Sequence, residues 1–252
     1  MFSSEYNSEA TILRAINSII NQSYTNWELI ICDDFSSDNT LELISQKAQE
    51  NNKIKIIANT KNIGSGLSRN KCIDNAIGDY IAFLDSDDFW LRNKLETQLN
   101  FMLNNGFLFS CTSQYDAFSS FIRLRKCKLV TNYKKLLYEN SIYLSTVIIK
   151  KEKLIKFKKM RREDHYLWYK ITSNHLECYG LQKPLTVFNC TNVSQSSNKL
   201  KLIKHSFNLY NRHLKFSKAK SLGFVLVLVI SKLKQVFLSK KLNSALLKPH
   251  GL

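Results

Sequence analysis

Three acidic clusters carry the residues most able to do chemistry: Asp33-Asp34, Asp85-Ser-Asp87-Asp88 and Glu163-Asp164. Two carboxylates one residue apart, as in Asp85 and Asp87, form a hard oxygen site that attracts Mg²⁺ or Mn²⁺ and, through the ion, the phosphates of a nucleotide. The same D-x-D-D also reads as an acidic turn whose Asp88 caps a helix starting near Leu91. Glu163-Asp164 precedes Tyr166, Leu167, Tyr169 and Ile171, apolar positions spaced as on a helix. Acids in a first helical turn are favoured by the helix dipole whatever else they do. His165 is read as packed or solvated rather than as a working group.

These side chains need elements to hold them. Tyr80-Ile-Ala-Phe-Leu is an apolar run that stops at Asp85, and Trp27-Glu-Leu-Ile-Ile-Cys32 stops at Asp33, so both read as buried strands ending in carboxylates. Between them lie a helix opened by Ser36-Ser-Asp38, a strand over Ile54–Ala58, and a turn, Asn62-Ile-Gly-Ser-Gly66, feeding a helix with Arg69 near its start. A first helix with Ile12, Ile16, Ile19 and Ile20 on one face is capped by Asn7 or Ser8. Strand and helix thus alternate as in parallel βαβ units, predicting an α/β fold with a mostly parallel, doubly wound sheet and helices on both faces. Its ligand edge would gather Asp34, Arg69, Asp85 and Asp87. There is no G-x-G-x-x-G or G-x-x-x-x-G-K, so a glycine cradle for phosphate is not supported, and a metal bridge is the better way to hold a diphosphate. Further strands are expected over Leu108–Thr112 and Ile142–Ile149.

The charge is divided along the chain. Residues 1–122 hold nine Lys and Arg against fifteen Asp and Glu, whereas residues 123–252 hold twenty-eight against five, within a total of +17. So basic a half wants an anionic partner, whether nucleic acid, an anionic membrane surface or a phosphorylated substrate. The six cysteines show no C-x-x-C pair and predict free, mostly buried thiols in a reducing cytosol. The amino terminus has no basic or apolar leader region, which argues against secretion.

Five stretches in order, Tyr6-Asn7-Ser8, Ile19-Ile-Asn-Gln22-Ser-Tyr24, Glu28 to Asp38, Asn62 to Asn70 and Gly78 to Asp88, resemble family 2 glycosyltransferases. The resemblance implies the GT-A fold and a nucleotide-diphosphate sugar donor, a UDP-sugar foremost, used with divalent Mg²⁺ or Mn²⁺. It implies that Tyr6 and Asp34 contact the nucleobase, Arg69 lies along the nucleotide, Asp85 touches ribose or metal, and Asp87 ligates the metal. It also makes Asp164 the catalytic base of an inverting transfer to a saccharide or lipid-linked acceptor in surface polysaccharide synthesis, with Glu163 positioning the acceptor. Nucleic-acid binding would account for the basic half, but not for ordered motifs ending in carboxylates, and nucleic acid is not an expected partner.

One departure is visible. Family members begin with an apolar strand before the tyrosine, and here only Met1-Phe-Ser-Ser4 stands there, so the expectation is a missing strand, from a late start or in a degenerate, non-catalytic homologue. The expected division is residues 1–112 as the donor half, 113–198 as the acceptor and catalytic-base half, and 199–252 as a basic amphipathic helical tail. Leu222, Leu226, Val229, Leu233, Val236 and Phe237 recur at helical spacing among lysines. Such a helix suits an anionic membrane surface or simply packs on the domain, and it implies a cytoplasmic protein peripheral on the inner face of the plasma membrane.

Overall fold

A computed structural model describes residues 2–190 and 199–230. The chain divides into one compact unit over residues 1–136 and 140–194, and a second over residues 137–139 and 195–252.

The first unit opens with β1 (Phe2–Glu5), α1 (Ile12–Ile20), β2 (Leu29–Asp33), α2 (Thr40–Glu50), β3 (Ile54–Ala58) and α3 (Ser65–Asp74). Strands β1, β2 and β3 pair in parallel, in that order. The expectation of a missing first strand is therefore corrected. Phe2–Glu5 pairs residue for residue with Ile30–Asp33, because parallel pairing uses the backbone and a four-residue strand needs no apolar run. With that strand present, the motive for a damaged donor site falls away. Helix α1 also starts later than expected, at Ile12, because Asn7 adopts φ 50° and the Ser8 carbonyl accepts from the amides of Thr11 and Ile12.

The chain continues through β4 (Tyr80–Ala82), β5 (Phe89–Trp90), α4 (Lys94–Asn105), β6 (Phe109–Ala117), β7 (Ile122–Arg125), β8 (Val130–Thr131), α5 (Tyr133–Leu136), β9 (Ile148–Lys150), α6 (Glu163–Ser173) and β10 (Cys178–Asn189). The second sheet runs β4-β9-β6-β10-β5, with β7 on β6 and β8 on β10. Its longest pairing, β6 with β10, is parallel, while β9, β7, β8 and β5 join antiparallel. Residues Ile142–Ile149 are not one strand, since Leu144–Thr146 forms a 3₁₀ turn before β9. That turn brings Ser145 beneath the acidic cluster that follows β4.

Apolar packing explains the layering. Ile30, Cys32, Ile81, Phe83, Phe109 and Trp168 share one buried cluster, whereas Ile12, Ile16, Ile31, Leu84, Trp90 and Met102 share another. Alternate residues of β2 thus feed opposite faces, as a strand covered on both sides requires. All six cysteines are free, and only Cys190 is not fully buried.

In the second unit α7 (Lys199–Asn208) runs into a π-helical turn, Leu209–His213, and residues 218–230 are helical. Phe224 packs on Tyr138, Tyr210 and Phe216, with ring centroids 5.2 to 5.6 Å apart. Leu222 and Leu226 lie exposed on that last helix, and the part of the expected amphipathic pattern from Leu233 on falls outside the described residues. No helix among the described residues is long and apolar enough to cross a membrane.

Candidate active site

Asp34, just past β2, is buried and its carboxylate is fully engaged. Oδ1 accepts from Asn59 Nδ2 at 2.9 Å and from the Ile63 amide at 2.8 Å, and Oδ2 accepts from the Gly64 amide at 2.8 Å. These bonds pin the loop that starts α3, where Gly64 takes φ 94°, a conformation costly for any residue with a Cβ. Asn59 Nδ2 also donates to Ser68 Oγ at 2.9 Å. A short carboxylate after one strand thereby fixes the angle of a helix 30 residues on.

That helix carries Arg69, which is buried and forked between two carboxylates. Its Nη2 donates to Asp85 Oδ1 at 2.7 Å and its Nη1 to Glu163 Oε1 at 3.2 Å, while the guanidinium lies 5.5 Å from the Phe157 ring centre. Burial opposes its charge, but Asp85, Glu163 and the nearby Asp164 raise its pKa further above the usual arginine range. Ser65 Oγ also donates to Glu163, at 3.0 Å. Gly66 makes this approach feasible, since a Cβ there would stand 3.2 Å from Glu163 Cγ and 3.3 Å from Phe157 Cβ. The amino ends of α3 and α6 therefore meet.

The Asp85–Asp88 turn is closed by the Asp88 amide donating to the Asp85 carbonyl at 3.0 Å. Asp88 does not cap a helix. It is buried, accepting from Ser145 Oγ at 2.5 Å and from the Asn189 amide at 3.2 Å. Burial and the charges of Asp85 and Asp87 push its carboxyl well above the usual range, against which those two donors act. Ser145 Oγ in turn accepts the Asp85 amide at 3.1 Å, and the Ser145 carbonyl accepts Trp90 Nε1 at 2.7 Å and Thr186 Oγ1 at 3.2 Å. Sequence reasoning missed Ser145, because a single serine in a loop carries no pattern. Replacing it by Ala leaves the Asp85 amide and one Asp88 oxygen without partners. The expected result is a loss of about 1–2 kcal/mol in stability by thermal melting, with Thr restoring most of it.

Asp87 is half-buried, and burial followed by the charge of Asp85 raises its carboxyl pKa. Its carboxylate takes a hydrogen bond from its own backbone amide, whereas its carbonyl accepts Arg14 Nη2 at 2.7 Å. Two carboxylates that repel each other at a turn have the donor chemistry of a Mg²⁺-type site, which takes one or two protein carboxylates plus phosphate oxygens. No group of three or more His, Cys, Asp and Glu placed to hold a metal is found among the described residues.

Tyr6 follows β1 and is half-exposed. Its loop is held beside the other motifs: Ser8 Oγ lies 2.9 Å from Ser86 Oγ, and Asn7 Oδ1 accepts the Ser37 amide at 2.9 Å. Asp164 occupies the first turn of α6, half-buried, and accepts Asn140 Nδ2 at 3.3 Å. The helix is entered through Arg162 in the left-handed region, φ 61°. His165 is packed: it is buried, Nε2 lies 2.6 Å from the Leu136 carbonyl and Nδ1 lies 3.2 Å from Arg162 Nη2. A ring that donates to a carbonyl and accepts from a guanidinium is neutral, and burial with Arg162 holds its pKa down to about 3.

The turn after β4 and the first turn of α6 thus deliver carboxylates to one guanidinium on α3, while Asp34 after β2 holds the loop that starts that helix, in a mixed α/β arrangement of the GT-A type. The S. aureus TarS fragment 1–349 in complex with UDP-GlcNAc superposes with a TM-score of 0.70 over 90% of this chain and 70% of that one, at 20% identity. The mannosyltransferase PcManGT of Pyrobaculum calidifontis, in complex with GDP-Man and Mn²⁺, superposes at 0.66 over 98% and 80%, at 14% identity. In sequence, the UDP-Glc:alpha-D-GlcNAc-diphosphoundecaprenol beta-1,3-glucosyltransferase WfgD of Escherichia coli is 34% identical over 212 residues, 81% of each chain. The profile of glycosyl transferase family 2 matches residues 5–176, and the chain belongs to that family.

Proposed function

We propose that this chain is an inverting, divalent-metal-dependent glycosyltransferase that moves a sugar from a UDP-sugar to a lipid-linked saccharide in surface polysaccharide synthesis. The observation that carries the reading is Arg69, which bonds Asp85 of the acidic turn and also Glu163, beside Asp164 and 94 residues further on than Arg69 itself. Donor-side and acceptor-side carboxylates thereby border one site. The names of the E. coli relative and of the TarS complex support a UDP-sugar donor and a diphosphoundecaprenol-linked acceptor. A peripheral position on the inner face of the plasma membrane, in the cytoplasm, follows from such an acceptor and from the basic carboxyl-terminal half.

In the proposed mechanism Tyr6 and Asp34 border the nucleobase, Asp34 acting through the loop it pins, and Asp85 and Arg69 line the ribose and diphosphate. Asp87, with Asp85, would hold the ion, which when bound neutralises charge on the leaving diphosphate. Asp164 accepts the proton of the attacking hydroxyl as the new bond forms at the anomeric carbon, on the face opposite the leaving group. A single displacement of this kind inverts that carbon. Glu163, anchored by Arg69 and Ser65, positions the acceptor.

The reading is tested by titrating UDP with and without Mn²⁺ and following the melting temperature, which should rise most with both together. Asp87→Ala should remove the Mn²⁺-dependent part of that rise and leave the fold intact. A variant whose response to Mn²⁺ equals that of wild type would take Asp87 out of the metal site.

A further inference from the structure

The hairpin that closes the second sheet is built inside out. Asp116 on β6 is fully buried and collects both basic residues of β7: Arg123 donates through Nε at 3.1 Å and Nη2 at 2.7 Å, and Arg125 through Nε at 2.9 Å and Nη2 at 2.5 Å. Gln114 Nε2 donates to the same carboxylate at 2.8 Å, and Arg125 Nη1 reaches Tyr143 Oη at 2.7 Å. Since side chains alternate along a strand, drawing the arginines inward turns Ile122 and Leu124 outward. They are 69% and 47% exposed, and Phe121 at the turn is 42% exposed. Phe118 and Phe121 stack at 4.4 Å where the hairpin turns. Solvent therefore meets a run of aliphatic and aromatic groups on an edge strand, a surface that proteins seldom leave without a use.

The flank of this apolar strip is uniformly basic. Lys126 and Lys128, which continue the chain from β7, are exposed, and residues 117–138 contain no Asp or Glu. We propose that residues 118–128 form a membrane-docking face, with Phe121, Ile122 and Leu124 entering the interfacial layer of an anionic phospholipid bilayer and the lysines meeting its headgroups. Charge decides between occupants: a second copy would bring the same lysines against these, whereas anionic lipid complements them. Apolar anchors rimmed by cations are the combination an anionic interface retains. The inference rests on the peripheral-membrane reading above and assigns it to a segment of the first unit rather than to the carboxyl-terminal helix alone.

The test uses the full chain with vesicles of phosphatidylglycerol and phosphatidylcholine, and with phosphatidylcholine alone, in a flotation assay. Wild type should float with the anionic vesicles. The Ile122→Glu/Leu124→Glu double variant, placed on an exposed edge, should melt as wild type yet partition about tenfold more weakly or worse. Ile77→Glu, at an apolar position 79% exposed elsewhere on the unit, should float as wild type. A Leu124→Trp variant should gain emission that is quenched by brominated phosphatidylglycerol. Flotation undiminished in the double variant, with unquenched emission at position 124, would overturn the docking face while leaving peripheral attachment standing. No flotation of wild type would overturn both, and equal flotation on phosphatidylcholine alone would overturn the anionic preference.

Discussion

Asp164→Asn should lower kcat for sugar transfer by about 10²–10⁴-fold while the affinity for UDP with Mn²⁺ stays within about twofold of wild type. The amide keeps the shape of the side chain and its contact with Asn140, so α6 and its first turn should remain in place. What disappears is the only property the proposed role requires, a carboxylate able to take the hydroxyl proton. The donor turn is secured elsewhere, by Ser145, the Asn189 amide and Arg69, none of which relies on Asp164 for a hydrogen bond. Calorimetric titration with UDP and Mn²⁺ beside a turnover assay separates the two effects. A parallel loss of affinity and turnover would mean that Asp164 belongs to the donor pocket and not to the acceptor side.

Arg69→Leu should be the most destructive single change. It removes the cation shared by Asp85 and Glu163, whose side chains are 35% and 17% exposed, and leaves two carboxylates facing each other beside Asp164. Severing a buried pair costs about 3–5 kcal/mol, and partial solvation of Asp85 reduces the expected loss to roughly 2–3 kcal/mol. In a domain of this size that corresponds to a fall of about 5–10 °C in melting temperature. UDP affinity should fall as well, because the turn loses its tie to α3. Lys at the same position supplies charge without a two-pronged donor and should recover only part of either loss. An unchanged melting curve would show that the bridge holds nothing together.

Much of the acidic-turn side of the site is legible in the sequence. Strand β2 ends at Asp33 and β4 stops short of Asp85 because charged residues terminate apolar runs, and Gly64 with Gly66 marked the turn into α3. The resemblance supplied what spacing could not, that Glu163-Asp164 belongs with residues 94 positions earlier. Other features left no periodic trace. Strand β10 contains Gly180 and Pro184 and alternates irregularly, with register shifts around Pro184, so its pattern reads as a loop although it is the longest strand described. Lys94, buried with its ammonium 3.9 Å from the Trp90 ring centre, would be placed on the surface by any composition rule. The opening strand was overlooked for the converse reason: it is held by pairing to β2, and residue type hardly enters.

The locking of Asp88 has a bearing on how the protein is made. Its two partners, Ser145 and the amide of Asn189, lie 57 and 101 residues further along the chain, and β6 finds its parallel neighbour only in β10. During synthesis the βαβ portion can close early, since its contacts are local, and Arg69 and Ser145 can reach the acidic turn before its last partner, the Asn189 amide, has left the ribosome. A nascent chain of about 150 residues would thus have its amino-terminal sheet, but an acidic turn in which one Asp88 oxygen still lacks its amide partner. The acidic turn receives its last hydrogen bond late, in the same step that completes the second sheet.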